Sequence, residues 1–365
     1  MQGYLKMKFF YVLLCLLTFI TSSFAQFDDL SYDIHSEEVL KTFEVEPDFL
    51  NNPYFLDVKN TFFNDTHQNY LLAKFKDGQE FIPTLKEMFL KEGIPQEFLY
   101  LAMIESGFSL TAKSNKRAIG MWQFMPKTAQ SLGLSINAQI DERKDPIKST
   151  QAAIAYLKYL KASFGKWYLA AIAYNCGDGR LRRAIKKAGS DSLSVLLDPN
   201  EKYIPLESRM YIRKILSVSL FFHNIDTLKT NDYDYFLNRG ANSLLATIKV
   251  APATPLSQIA AKAGIPLNKL KRYNPQFKRA ITPTFAKTYS VHLPYQFLAQ
   301  YKENAQNQEI KVKPYLVHRV GKGDTMYSIA KRYGVPSKQI AQHNGILNSN
   351  TLSINQEIVI PLNKG

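Results

Sequence analysis

Between Lys76 and Ile225 the apolar residues recur at helical spacing, and the runs are broken by Gly and Pro, not by alternating strand-like segments. That pattern favours a helical domain, because a helix brings i, i+3, i+4 and i+7 onto one face while a strand lines up every second residue. Phe81, Leu85 and Phe89 make one such run, stopped by Gly93. Pro95 opens the next, in which Phe98, Leu101, Ala102 and Glu105 share a face. Pro126 to Leu132 reads as a short helix ended by Gly133. Asp145-Pro146 supplies the cap and first turn of a long helix reaching Phe164, with Gly165 as its stop. Trp167 to Asn175 is apolar almost throughout and ends at Gly177 and Gly179. Pro205 opens a further helix whose Tyr211, Ile212, Ile215, Leu216 and Ser219 fall on one side. The expectation is a mainly α domain over 76–225, preceded by an aromatic, weakly periodic segment (26–75) that packs on it.

Beyond residue 240 the pattern changes. Residues 240–295 combine two short helical runs, Leu256 to Gly264 and Pro266 to Asn274, with an alternating stretch from Tyr289 to Leu293. Residues 296–314 are polar and read as a linker. Residues 315–362 repeat the plan more clearly, as strand (Tyr315 to Arg319), two helices (Thr325 to Tyr333, Ser337 to His343) and strand (Glu357 to Ile360). Leu256-Ser-Gln-Ile-Ala aligns with Met326-Tyr-Ser-Ile-Ala, and Leu270-Lys-Arg-Tyr-Asn-Pro with Ile340-Ala-Gln-His-Asn-Gly. Two copies of a small α+β, βααβ unit are therefore expected, the first divergent.

The first 25 residues read as a secretory signal: Lys6 and Lys8, an apolar run from Phe9 to Ile20, then Thr21 to Ala25 ending in a small residue. The run is short for a membrane span. Cys15 lies inside it and not at its end, which makes it a poor lipid-attachment site, so the chain is expected to be exported to the periplasm or cell envelope without a lipid anchor. Loss of this segment removes Lys6, Lys8 and no acid, lowering the formal charge from +15 to +13. It leaves Cys176 alone, so no internal disulfide can form. Export argues against nucleic acid as the partner of a basic chain and towards an anionic envelope polymer, with peripheral contact to an envelope membrane left open. The six histidines (35, 67, 223, 292, 318 and 343) are scattered, and neither a metal nor a cofactor is expected.

Three segments are candidates for chemistry. Glu105 ends the apolar run Leu101-Ala-Met-Ile104, where desolvation disfavours the charged carboxylate and favours a general acid. Ala118-Ile-Gly-Met-Trp-Gln-Phe-Met-Pro126 sets Gly120, Trp122 and Gln123 in a loop before a helix, and Ala173-Tyr-Asn-Cys-Gly177 sets Tyr174 and Asn175 at a helix end. Amide and hydroxyl groups of these kinds orient sugars. No second acid lies within the three segments. Asp141, Glu142, Asp145 and Asp178 lie elsewhere, Asp145 as a cap, Asp178 in a Gly-Asp-Gly turn, and Asp141 and Glu142 in a polar loop.

Glu105-Ser106-Gly-Phe108, Gly120 to Pro126 and Ala173 to Gly177, in that order, resemble the lytic transglycosylase family, most closely its membrane-bound type D branch. Ile140 to Pro146 and Ile204 to Ile212 resemble further family elements. The resemblance implies a lysozyme-like helical fold and cleavage of the MurNAc–GlcNAc β-1,4 bond of peptidoglycan glycan strands. By motif position it makes Glu105 the acid/base, which protonates the glycosidic oxygen and then takes a proton from the substrate's own 6-hydroxyl to leave a 1,6-anhydro sugar. Ser106, Gln123, Tyr174 and Asn175 are then substrate-binding, and Tyr211 supports the site. Two positions depart from the family pattern: Arg117 stands where Gly is common, and Cys176 replaces a usual Ala. Gly323 to Gly334, with Asn344-Gly345 and Gln356 to Pro361, resembles a LysM domain, implying that Gly323, Asp324, Thr325, Met326, Ile346 and Leu347 line a glycan groove; the unit at 240–295 lacks the Gly-Asp-Thr loop. A hydrolytic muramidase and a non-catalytic peptidoglycan-binding protein are the alternatives.

Overall fold

The computed structural model describes residues 35–62, 65–223, 244–306, 315–344, 352, 354 and 357–361. The expected signal segment and the groove residues Ile346 and Leu347 lie outside them. The chain forms two compact units, one from residues up to Leu72 with Leu157–Asp234, the other from Ala73–Tyr156 with Tyr235–Gly365.

The first unit is helical. It contains α1 (35–43), α2 (Pro53–Phe62), the start of α3 (Asp65–Gly78), the second half of α7 (Pro146–Phe164), α8 (Trp167–Cys176), α9 (Asp178–Ala188), α10 (Leu193–Leu196) and α11 (Leu206–His223). Helix α8 is its centre. Tyr168 to Ala173 are all buried, as expected of a helix that is apolar on every side. Helix α11 turns Tyr211, Ile212, Ile215, Leu216 and Ser219 inward, the face read from the sequence. Phe43, Phe49 and Phe55 fill the core from the N-terminal side. There Glu46 pairs with Lys166 at 2.7 Å, Arg213 with Asp57 at 2.8 Å, and Glu44 with Lys161.

The second unit holds α4 (Ile82–Lys91), α5 (Leu99–Ser106), α6 (Pro126–Ser131) and the start of α7, then both small modules. Asp145 caps α7 as expected, its Oδ1 accepting the N–H groups of Ile147 and Lys148 at 2.9 and 2.8 Å. In the first module β1 (Leu245–Val250) pairs antiparallel with β2 (Tyr289–Pro294), enclosing α12 (Leu256–Ala263) and α13 (Leu267–Tyr273). The residues read as a linker depart from expectation. Leu298–Gln306 form α14, with Leu298, Tyr301 and Ala305 half-buried along one side and Asn304 donating to the Lys262 carbonyl at 2.8 Å. An i, i+3, i+7 apolar stripe within a polar composition is enough to fold the segment onto α12. In the second module β3 (Tyr315–Arg319) pairs with β4 (Glu357–Pro361) beside α15 (Met326–Tyr333) and α16 (Ser337–Asn344). Its own core is Val320, Met326, Ile329, Val335, Ile340, Ile358 and Ile360. The fold is thus mainly α with two small βααβ modules after it. No helix among the described residues is long and apolar enough to cross a membrane.

Candidate active site

Helix α5 is buried from Leu99 to Met103 and ends at Gly107, which takes a left-handed conformation (φ +58°). Glu105 sits in the last turn and is half-buried. The chain then makes a second left-handed step at Phe108 (φ +61°), a buried residue whose N–H closes on the Ala102 carbonyl at 3.2 Å. The double turn fixes where Glu105 leaves the helix.

Residues 112–124 form a compact turn beside α5. Ile119 bridges to both Lys113 and Phe124. Ser106 ties the two segments together, with Oγ 2.9 Å from the Met121 carbonyl and 3.2 Å from that of Ala102. Gln123 is left-handed (φ +49°), and its Nε2 donates to the Gly120 carbonyl at 2.8 Å. Arg117 is left-handed too (φ +68°). It stands in a left-handed conformation that glycine adopts at least cost. Three of the six non-glycine residues with positive φ among those described, Phe108, Arg117 and Gln123, thus lie between 108 and 123. Such strain persists only where surrounding contacts over-determine it, and it concentrates at functional sites. Trp122 is fully buried against Phe89, with Nε1 donating to Thr150 Oγ1 at 3.0 Å. It anchors the turn and offers no face to a ligand.

The expected polar loop at Asp141-Glu142 is buried. Asp141 grips Arg143 through two bonds of 2.9 and 2.8 Å, both side chains about 5% exposed, and Glu142 accepts the Ser135 N–H at 2.8 Å while pairing with Lys148. The charges were readable as a solvated loop because nothing local marks their burial; their partners make it tolerable. Asp145 is held below the ordinary aspartate range. Burial alone would raise it, but the His292 imidazole and the α7 N–H groups outweigh that. These three carboxylates are therefore occupied in holding structure.

The remaining expected residues lie in the first unit. Asn175 accepts the Ser208 hydroxyl at 2.6 Å, joining the end of α8 to α11. Tyr174 is half-buried and Tyr211 buried. Cys176 is half-buried, and burial pushes its thiol up, away from the thiolate a nucleophile needs. Asp178 accepts from the Tyr159 hydroxyl at 3.3 Å.

In the second module Gly323 is left-handed (φ +87°), as its turn requires. Asp324 accepts the Gly321 N–H at 2.7 Å and meets His318 at 2.8 Å, contacts that hold its carboxyl below the usual range. Thr325 caps α15 in a capping box with Ser328. Met326, expected to line the groove, points into the core instead, 3% exposed, because it is the first apolar position of α15. Tyr327, which the sequence reading passed over, is 74% exposed; an aromatic next to the loop was the available signal. Among the described residues no group of His, Cys, Asp and Glu is placed to hold a metal ion.

A helical domain with a glutamate ending a buried helix, a strained polar turn tied to it, and two βααβ modules behind defines a class. Residues 85–196 form a transglycosylase SLT domain, residues 244–310 match the LysM-like domain of lytic transglycosylase MltD, and residues 318–361 form a LysM domain. The second match runs through α14, in keeping with its packing on the first module. The chain is 32% identical over 275 residues to membrane-bound lytic murein transglycosylase D of Escherichia coli K12, covering 71% of this chain and 58% of that protein's length. It is 36% identical over 121 residues to peptidoglycan transglycosylase gp16 of Escherichia phage T7, covering 33% of this chain and 9% of the phage protein. The 70 kDa soluble lytic transglycosylase SLT70 of Escherichia coli matches 47% of this chain and 30% of its own at 22% identity, with a TM-score of 0.35.

Proposed function

We propose that the protein is an exported peptidoglycan lytic transglycosylase that cleaves the MurNAc–GlcNAc bond and leaves 1,6-anhydro ends. Glu105 is its acid/base. The observation that carries this reading is the setting of Glu105: half-buried, at the end of a buried helix, beside a strained turn that Ser106 ties to that helix. A carboxyl group so placed protonates the glycosidic oxygen as the bond breaks. Its carboxylate then takes the proton of the 6-hydroxyl as that oxygen attacks C1, closing the anhydro ring without water. Most inverting and retaining hydrolases use a second carboxyl group across the bond. Asp141, Glu142 and Asp145 are unavailable for that role because they are buried in internal pairs. In this reading Gln123, Tyr174 and Asn175 hold the sugar, Ser106 does so as an acceptor while its proton serves the turn, and Tyr211 supports the site. The LysM domain adds affinity for glycan strands through the backbone around Gly323 and the exposed ring of Tyr327. Export and a location in the envelope follow from the leader and the substrate, and the formal charge adds a salt-sensitive attraction to anionic wall or membrane material.

The test is Glu105→Gln against purified sacculi, with products resolved by mass, since an anhydro end is one water lighter than a hydrolysed one. The expected outcome is loss of anhydro-muropeptide release with retained binding to insoluble peptidoglycan. Undiminished release by the variant would overturn the assignment, and reducing ends in the wild-type products would make the enzyme a muramidase.

A further inference from the structure

The module at 244–310 is fastened to the transglycosylase domain by a seam along residues 137–145. Ile140 bridges antiparallel to Phe277, flanked by Asp141 N–H to the Gln276 carbonyl (2.9 Å) and Lys278 N–H to that of Gln139 (3.0 Å). The Gln139 side chain closes on Thr284, its Oε1 accepting the Thr284 N–H at 3.0 Å and its Nε2 lying 3.3 Å from Thr284 Oγ1. At the end of the loop the Asp145 carboxylate meets His292 Nε2 at 3.0 and 3.1 Å, with both side chains buried.

The same loop holds the turn that carries Gln123. Arg143, gripped by Asp141, donates from Nη1 to the carbonyls of Arg117 (3.1 Å) and Phe124 (3.3 Å), one on each arm of that turn. Gly120 lies against the Arg143 carbonyl so closely that a Cβ there would sit 2.0 Å from it. A wall-binding module needs only a tether. Burying a carboxylate–imidazole pair costs desolvation, and such a pair makes sense where a fixed geometry is the purpose.

We propose that the module at 244–310 is a positioning element of the candidate active site: it pins residues 137–145, and through Arg143, the positioning residue, it sets the turn that carries Gln123. What the turn does for substrate rests on the transglycosylase reading above; the coupling of module to turn does not.

The test uses the full chain with Gln139→Ala and His292→Ala, following amide hydrogen exchange over 117–124 with α11 as internal reference. Exchange over 117–124 rises about tenfold in both variants while α11 is unchanged, as local opening requires. Arg143→Lys, which keeps the charge and loses the fork, gives the same rise. On soluble glycan strands the variants lose kcat/KM while binding to sacculi holds. Unchanged protection of 117–124 overturns the proposal, and so does weakened sacculus binding with protection intact, which would make the module a glycan binder. If His292→Ala also opens α11, Gln139→Ala, which removes only half-buried contacts, decides alone. A wild-type chain that releases no anhydro-muropeptide would remove the transglycosylase reading and leave the exchange result standing.

Discussion

Replacing Gly120 by Ala tests the geometry of the turn most sharply. The residue has φ +88°, and an added Cβ would lie 2.0 Å from the Arg143 carbonyl oxygen, about 1 Å inside the 3.0 Å that real Cβ atoms keep. The obstacle is backbone and is itself held, because Arg143 is locked to Asp141 and to the two arms of the turn. Two costs add: a net of about 1 kcal/mol for a left-handed alanine, from roughly 1–2 kcal/mol of strain less about 0.5–1 kcal/mol of glycine entropy, and roughly 1–3 kcal/mol for overpacking. The expected loss is about 2–4 kcal/mol. Gly133 provides the control. It has φ +83° with nothing within 4 Å, so Gly133→Ala carries only the backbone cost of about 1 kcal/mol. Urea unfolding followed by Trp fluorescence, where Trp122 reports from the turn, should place the Gly120→Ala midpoint about 1–2 M below wild type for a slope of roughly 2 kcal/mol per M, and the Gly133→Ala midpoint about 0.5 M below it. Release of anhydro-muropeptides should fall for the first variant only. Equal midpoint shifts for the two variants would refute the reasoning, since they would mean that the close approach to Arg143 contributes nothing.

Two further outcomes follow from the same geometry. Arg117→Gly should stabilise the chain by about 0.5–1 kcal/mol, as roughly 1–2 kcal/mol of left-handed strain is relieved against about 0.5–1 kcal/mol of glycine entropy; a lower urea midpoint would show that the Arg117 side chain contributes more than its backbone costs. Asp145 is held below the ordinary aspartate value, so its contribution is complete above about pH 5 and is lost as the pH falls through the native value, below about 4. Urea midpoints should therefore drop more steeply with acid in wild type than in Asp145→Asn, and parallel acid profiles would contradict the pairing with His292.

Most of the helical architecture was legible because its determinants are local. Gly93, Gly133 and Gly165 take the left-handed conformations that their places after helices imply, Pro126 and Pro146 open helices, and the face of α11 lies where its spacing puts it. Glu105 was legible as a polar residue closing an apolar helix. The order of elements in the second module was legible as well, although Thr325, read as helical, is the cap of α15. Met326 was misread because motif position carries no information about side-chain direction. The same residue that follows the loop begins α15, and there its Cβ faces the core.

What escaped the sequence lies in contacts between distant segments. Asp141 looks like a loop acid, yet it is buried with an arginine two residues away whose other bonds reach back to 117 and 124. Asp145 was read correctly as a helix cap, but a cap uses only part of a carboxylate's acceptor capacity; the rest goes to His292, 147 residues on. A histidine without metal-binding neighbours looks idle in sequence, and Gln139 looks like surface. Each has a partner whose position depends on the whole fold. These are also the residues that join the divergent module to the turn that carries Gln123. The module whose sequence lacks the Gly-Asp-Thr loop is thus the one whose Phe277, Thr284 and His292 meet residues 139–145.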